Sequence, residues 1–357
     1  MKIVGLITEY NPFHAGHLYH MQRARELTGA DYCVVLMSGS FVQRGEPAIF
    51  DKYRRTRAAL LAGADLVLEM PTAFSTASAH EFAAYGVALL SAIGVDAVVF
   101  GSECGQIEIL KQAAYALNHE SAEFQERLRK GLKAGLTYPQ ARAKALEMED
   151  TWASVLTSPN NILGIEYLRA AEDLHSPMEF YTISRKGSGY HEDALSEAKF
   201  PSASAIRGIV RKSYENLSAD SPASLKQEPG SDSKSEILFN ILIPHLPAVT
   251  HPAYAGALPV FTDDFSELLN MAVLQMQKSS AKGSIAATNV VMPSSTLSVD
   301  TNTQAISRIA DLSPELAARL AKPPYFPLSF EERIQALKTR QLTYTRVSRA
   351  LLHLVLG

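Results

Sequence analysis

Two histidines three residues apart, His14 and His17, flank Gly16 in the segment Gly5-Leu-Ile-Thr-Glu-Tyr-Asn-Pro-Phe-His-Ala-Gly-His-Leu-Tyr-His20. Imidazoles are donors that can be aimed at charge developing on a phosphoryl group. A glycine lets backbone approach closely, and a helix N-terminus adds free N–H groups and a positive dipole end suited to phosphate. A lone histidine is more often structural. A pair around a glycine, directly after an apolar strand, favours the functional reading. Metal binding is the weaker alternative: His14, His17 and His20 could supply nitrogens, but no cysteine or carboxylate cluster completes a site. His20 can also simply share the helix side of His17.

Further cations lie downstream. Arg185 and Lys186 precede Gly187-Ser188-Gly189, a glycine-rich turn where two positive charges suit phosphate. Ser202-Ala-Ser204-Ala-Ile-Arg207 reads as a helix cap with an arginine one turn inside; capping alone explains the serines, while the arginine favours phosphate. Gly101 and Ser102 either just end a strand or admit a nucleotide's close approach. Residues 39–45 form a loop that could shape a second-substrate pocket. Arg54, Arg55 and Arg57 read by default as a solvated face. Near the end, Lys338, Arg340, Arg346 and Arg349 surround Tyr344. Cations with an aromatic on a polar helix face can hold a nucleic-acid backbone, with a solvated basic face as the plainer alternative.

The elements that must position these groups follow from pattern. The apolar run 3–7 predicts a short buried strand, then Asn11-Pro12 a turn. Leu18, Met21, Ala24 and Leu27 recur at helical spacing. Residues 32–37, 66–70, 97–100 and 179–184 predict further strands. Residues 52–62, with Asp51 as N-cap, and 79–93 predict helices. Residues 105–150 read as helical throughout, and a helix over 162–171 follows the Ser158-Pro159-Asn160-Asn161 cap. Strand–helix alternation implies right-handed crossovers and a parallel sheet covered on both faces. The His-x-Gly-His element then falls at the switch point where open α/β sheets bind ligands.

The 357 residues allow one large domain or two. The reading is a nucleotide-binding α/β domain over 1–217 with 105–150 as a helical insertion. A Ser-, Pro- and Asp-rich linker or mobile loop covers 218–235. A mainly helical domain over 236–357 would carry the nucleic-acid contact. Apolar residues make up 46% and charged residues 20% of the chain, as in soluble globular proteins. No stretch is apolar enough to span a bilayer, the opening strand does not read as a signal peptide, and Cys33 and Cys104 read as reduced thiols. A cytoplasmic protein is expected. The net charge of −3 excludes little, because a local basic patch is what matters for nucleic acid.

His14-Ala15-Gly16-His17 and the 202–207 element together resemble the two signatures of the HIGH-type nucleotidylyltransferases, which attack the α-phosphate of a nucleoside triphosphate and release pyrophosphate. The opening string Glu9-Tyr-Asn-Pro-Phe-His-x-Gly-His-Leu-Tyr-His20, with 39–44, 158–167, 185–191 and the basic C-terminal run, resembles the bacterial tRNA(Met) cytidine acetate ligase family. That resemblance spans nearly the whole chain and is weakest over 218–303. It implies a Rossmann-like parallel sheet, ATP and acetate as substrates, and acetylation of N4 of the wobble cytidine in elongator tRNA(Met). His14 and His17 would be catalytic. The implied ATP site takes in Ile7, Thr8, Glu9, Tyr10 and Asn11, then Pro12, Phe13, His14, Gly16, His17 and His20. Gly101, Asn160 (preferred over Asn161), Arg185 and Lys186 belong to it, and Ser202 and Arg207 complete the expected set. Lys186 departs from the family, where an apolar residue is usual. Mg²⁺ would be held mainly by the phosphates, with no protein metal site. A small-molecule nucleotidylyltransferase and a non-catalytic nucleotide- or RNA-binding protein on the same fold remain as rival readings.

Overall fold

The structure, a computed structural model, describes residues 1–146, 155–185, 201–219, 233–281, 309–322 and 327–357. Lys186 and most of the 185–191 turn fall outside these residues. So do 220–232 of the expected linker and residues 282–308.

The β-branched run at the start forms β1 (Ile3–Thr8) and leads into helix α1 (Ala15–Thr28). Next come β2 (Tyr32–Ser38), a short hairpin of β3 (Phe41–Val42) and β4 (Glu46–Pro47), and α2 (Lys52–Leu61). Then follow β5 (Leu66–Met70), the single turn α3 (Thr72–Ser75), α4 (Ala79–Ala92) and β6 (Ala97–Ser102). Asp51 caps α2 by accepting from Arg54 N–H at 3.0 Å. Ser78 and Glu81 form a reciprocal capping box on α4. In α1, Met21 and Ala24 are buried as expected, but Leu27 is exposed and Thr28 takes the inward position. Thr28 tolerates burial because its hydroxyl donates to the Ala24 carbonyl at 2.7 Å.

The expected unbroken helical stretch is three helices within 105–146: α5 (Ile107–Asn118), α6 (Ala122–Lys133) and α7 (Tyr138–Ala145). Gly135, at φ +82°, lies between the last two. α8 (Pro159–Asp173) then returns the chain to β7 (Glu179–Ser184). Strand order is β5-β2-β1-β6-β7, all parallel. The order therefore reverses at β1 and β6, whose carboxyl ends lie side by side and open the crevice. Gly164 lets α8 sit directly on the Phe100 ring of β6. The core between sheet and helices includes Leu36, Met70, Phe82, Val98 and Ile165.

α9 (Ala203–Ala219) and α10 (Lys234–Leu242) follow, so both margins of the expected 218–235 linker are helical. The chain divides into two units, 1–40 with 48–259 and 41–47 with 260–357. The division thus lies near 260 and not near 235, for a physical reason. Tyr254, on the short helix α11 (His251–Tyr254), is fully buried against Phe50, and its hydroxyl accepts from Phe13 N–H at 3.1 Å. That ties this segment to the sheet unit.

The second unit is built on α12 (Ser266–Ala281), α13 (Pro314–Leu320), α14 (Phe330–Leu337) and α15 (Tyr344–Leu356). Leu269, Val273, Leu316, Phe330, Ile334 and Leu351 fill its core. The β3–β4 hairpin belongs to this unit: Phe41 packs edge-on to Phe265, and Ser348 Oγ donates to the Gly45 carbonyl at 2.8 Å. Among the described residues, no helix is long and apolar enough to cross a membrane.

Candidate active site

The loop leaving β1 is locked before it reaches the histidines. Tyr10 adopts φ +47° and is fully buried, as is Phe13. Asn11 accepts from Ile49 N–H at 2.8 Å through its side chain. His14 is then the N-cap of α1. Its Nδ1 accepts from Gly16 N–H at 3.0 Å, and its own N–H donates to His17 Nδ1 at 3.3 Å. The two rings stack with centroids 3.8 Å apart, and Tyr10 and Phe13 pack against His17. A Cβ on Gly16 would lie 2.8 Å from His14 Cε1, so only glycine lets the ring fold back over the helix start.

This cap fixes the tautomers. A nitrogen that accepts from a backbone N–H carries no proton, so each neutral ring keeps its proton on Nε2 and offers that N–H as a donor. Burial, followed by the Arg185 charge, pushes His14 down to about 4. Burial and its neighbours His14, Arg185 and His20 push His17 well below the ordinary range. Burial and Arg185 likewise push His20 down to about 4. All three are neutral near pH 7. Ile7, Thr8 and Glu9 are half-buried at the end of β1. Tyr10, Pro12 and Phe13 are buried, and the Tyr10 and Phe13 rings frame His17.

Across the crevice, Gly101 lets the aliphatic stem of Arg185 lie flat: a Cβ there would come within 3.2 Å of Arg185 Cγ. Arg185 Nη1 donates to Asn160 Oδ1 at 3.2 Å. Asn160 Nδ2 in turn donates to Glu103 Oε1 at 2.7 Å. Asn161, the other asparagine of that turn, is buried; its Oδ1 accepts from the N–H groups of Glu103 and Cys104. Asn160 therefore faces Arg185, and Asn161 is framework.

Ser202 Oγ accepts from Ala205 N–H at 3.2 Å and caps α9. Arg207 donates to the Asn11 carbonyl at 2.8 Å and to Ser204 Oγ at 3.1 Å. It thus braces the loop before the histidines.

The default reading of 54–57 as a solvated basic face fails at two positions. Arg55 is fully buried and donates to the carbonyls of Glu9 (2.7 Å), Ser38 (3.0 Å), Phe50 (3.0 Å) and Gly39. Arg54 donates to the carbonyls of Ala253, Ala255 and Gly256. The buried Arg55 ties together the carboxyl ends of β1 and β2, and spacing alone gives no sign of it.

In the second unit the expected nucleic-acid residues divide. Lys338, Arg340 and Arg346 are exposed. Arg349 is buried and holds Asp311 through two hydrogen bonds, at 2.6 and 3.2 Å. The Tyr344 hydroxyl donates to Glu331. Arg349 is thus a structural residue, because its position on α15 turns it inward with Ser348 and Ala350. Lys338 and Arg340 lie between α14 and α15, off any helix face.

No group of three His, Cys, Asp or Glu among the described residues could hold a metal ion.

Comparison with known proteins finds relatives along the whole chain. The HIGH Nucleotidyl Transferase family matches residues 1–357. A tRNA(Met) cytidine acetate ligase of Clostridium novyi is 50% identical over 218 residues, 60% of this chain and 54% of that protein. The ligase of Caldicellulosiruptor saccharolyticus is 35% identical over 99% of this chain and 76% of its own. The alignment thus spans about half the length of the first relative and about three quarters of the second. Among solved structures, Thermotoga maritima TmcAL bound with alpha-thio ATP matches with TM-score 0.75 and 30% identity, covering 99% of this chain and 75% of that one. The chain belongs to the tRNA(Met) cytidine acetate ligase family of HIGH nucleotidyl transferases.

Proposed function

We propose that this protein joins acetate to ATP as acetyl-adenylate, then acetylates N4 of the wobble cytidine of elongator tRNA(Met). The observation that carries the reading is the pair of neutral Nε2–H donors, His14 and His17, facing the crevice that also receives Arg185. The Thermotoga relative binds an ATP analogue, and family membership supplies the acetate and tRNA.

In the first step an acetate oxygen attacks the α-phosphorus, the bond to the β-phosphate oxygen breaks, and pyrophosphate leaves. The chain's contribution is positioning and charge stabilisation. His14 and His17 donate to the phosphoryl oxygens as charge builds, and Arg185 offsets charge on the leaving pyrophosphate. Neutral imidazoles suit this role because they donate without surrendering the proton. Lys186 would add a second cation. Mg²⁺ bound to the phosphates would supply further charge neutralisation. In the second step the cytosine amine attacks the acetyl carbon, AMP departs and the amine loses a proton. A loop nucleotide is less costly to unstack than one in a duplex.

Lys338, Arg340 and Arg346 form the exposed basic group we assign to tRNA, with Arg349 withdrawn from it. Catalysis on tRNA places the protein in the cytoplasm. The test is mass spectrometry of tRNA nucleosides after incubation with labelled acetate and ATP; absence of acetylated cytidine overturns the reading. Pyrophosphate exchange that does not depend on acetate would favour a small-molecule nucleotidylyltransferase, and no exchange a binding protein.

A further inference from the structure

Glu103 has a position that no step above uses. It follows β6 directly, and its carboxylate grips the start of α8. Oε1 accepts from Asn160 N–H at 3.2 Å and Asn160 Nδ2 at 2.7 Å, and Oε2 accepts from Asn161 N–H at 2.8 Å. Asn161 Oδ1 returns the grip on the Glu103 and Cys104 N–H groups at 2.9 and 3.1 Å. The turn after β6 and the first turn of α8 are thus bound reciprocally.

The chemistry of the two ends fixes the amide between them. An ionised carboxylate only accepts and a guanidinium only donates. Asn160 must therefore turn its NH₂ to Glu103 and its oxygen to Arg185, whose Nη1 it accepts at 3.2 Å. The interposed amide has a second effect. A direct Glu103–Arg185 pair would cancel much of the positive charge the crevice needs, whereas a neutral amide holds the guanidinium in place and leaves its charge for a ligand.

We propose that Glu103 is a positioning residue that orients Asn160, and through it Arg185, toward the triphosphate. The proposal rests on the reading of the crevice as the ATP site.

The test is a double-mutant cycle on ATP affinity, measured by calorimetry, with thermal melting of each variant. Arg185→Ala should weaken ATP binding about tenfold or more. Glu103→Gln, which sets an NH₂ against a backbone or amide donor, should weaken it about tenfold, the scale for one charge-assisted hydrogen bond. The E103Q/R185A double variant should bind no more weakly than Arg185→Ala alone. If the two losses multiply, Glu103 acts on the fold independently of Arg185 and the proposal is wrong, as it is if Glu103→Gln binds like wild type. If Arg185→Ala itself binds ATP like wild type, the ATP-site reading fails and takes this proposal with it. Should Glu103→Gln not fold, Asn160→Ala replaces it in the cycle, since Glu103 then keeps both backbone donors. Multiplying losses there overturn the proposal equally.

Discussion

His14 caps the helix that carries His17, and His17 accepts from the backbone N–H of His14. The Gly16 N–H thus sets the tautomer of His14 and the backbone N–H of His14 sets that of His17, and the helix start is built from the groups assigned to chemistry. Cap and donor can nonetheless be separated. His14→Ala should cost roughly 1 kcal/mol of stability, the scale for a lost N-cap, while His14→Ser should regain most of it. Both should lose acetate-dependent pyrophosphate exchange by ~10²-fold, as should His17→Ala. Melting curves beside exchange rates read the two effects apart. Wild-type exchange in His14→Ser would remove the ring from the chemistry.

The same histidines make stability depend on pH. His14 and His20 sit near 4 when folded against an unfolded value of 6.5, and His17 is also depressed. Between those values the unfolded chain binds protons the folded chain refuses, so stability rises with pH. The full contribution is present above about 6.5 and is lost as pH falls through about 4. Melting temperatures at pH 7.5, 6 and 5 should fall in that order, and the slope should flatten in an H14S/H20Q variant. An unchanged slope would show that the rings titrate normally.

Arg55→Met should destabilise the sheet unit by on the order of 3–5 kcal/mol, because it orphans the carbonyls of Glu9, Ser38, Gly39 and Phe50. Chemical denaturation checks this. A loss below about 1 kcal/mol would mean that water replaces the guanidinium without cost.

The basic C-terminal residues should separate by burial. Neutralising Lys338, Arg340 and Arg346 together should weaken tRNA binding and flatten its salt dependence while sparing exchange measured without tRNA. Arg349→Ala should instead lower the melting temperature by leaving Asp311 uncompensated. Salt-series binding on both variants, run beside melting curves, distinguishes them. Equal tRNA loss in both without destabilisation would return Arg349 to the binding surface.

What the sequence made legible was local. β1, β5 and β7 begin and end within a residue of their expected limits because each is a short apolar or β-branched run between turn signals. The His14–His17 element was legible because its parts are neighbours in sequence. Arg55 was not, since its acceptors sit at 9, 38, 39 and 50 and no periodicity links them. Arg349 hides in a basic run because Asp311 lies 38 residues away. Glu103 and Asn160 meet across 57 residues. The β3–β4 hairpin has strands of two residues, too short to carry an alternating pattern.

That hairpin has a consequence for biosynthesis. Gly45 waits for Ser348, which is 303 residues further along the chain. At roughly 5–20 residues per second, the ribosome needs about 15–60 s to deliver it. Through that interval the β3–β4 hairpin lacks the packing of Phe265 and the bond from Ser348, while the parallel strands on either side are already available to pair. Expression trimmed at residue 259 would leave it so permanently, and a clone starting at 260 would lack it. The second unit is therefore completed only once translation has passed Ser348, and its folding yield should respond to chaperone supply more than that of the sheet unit.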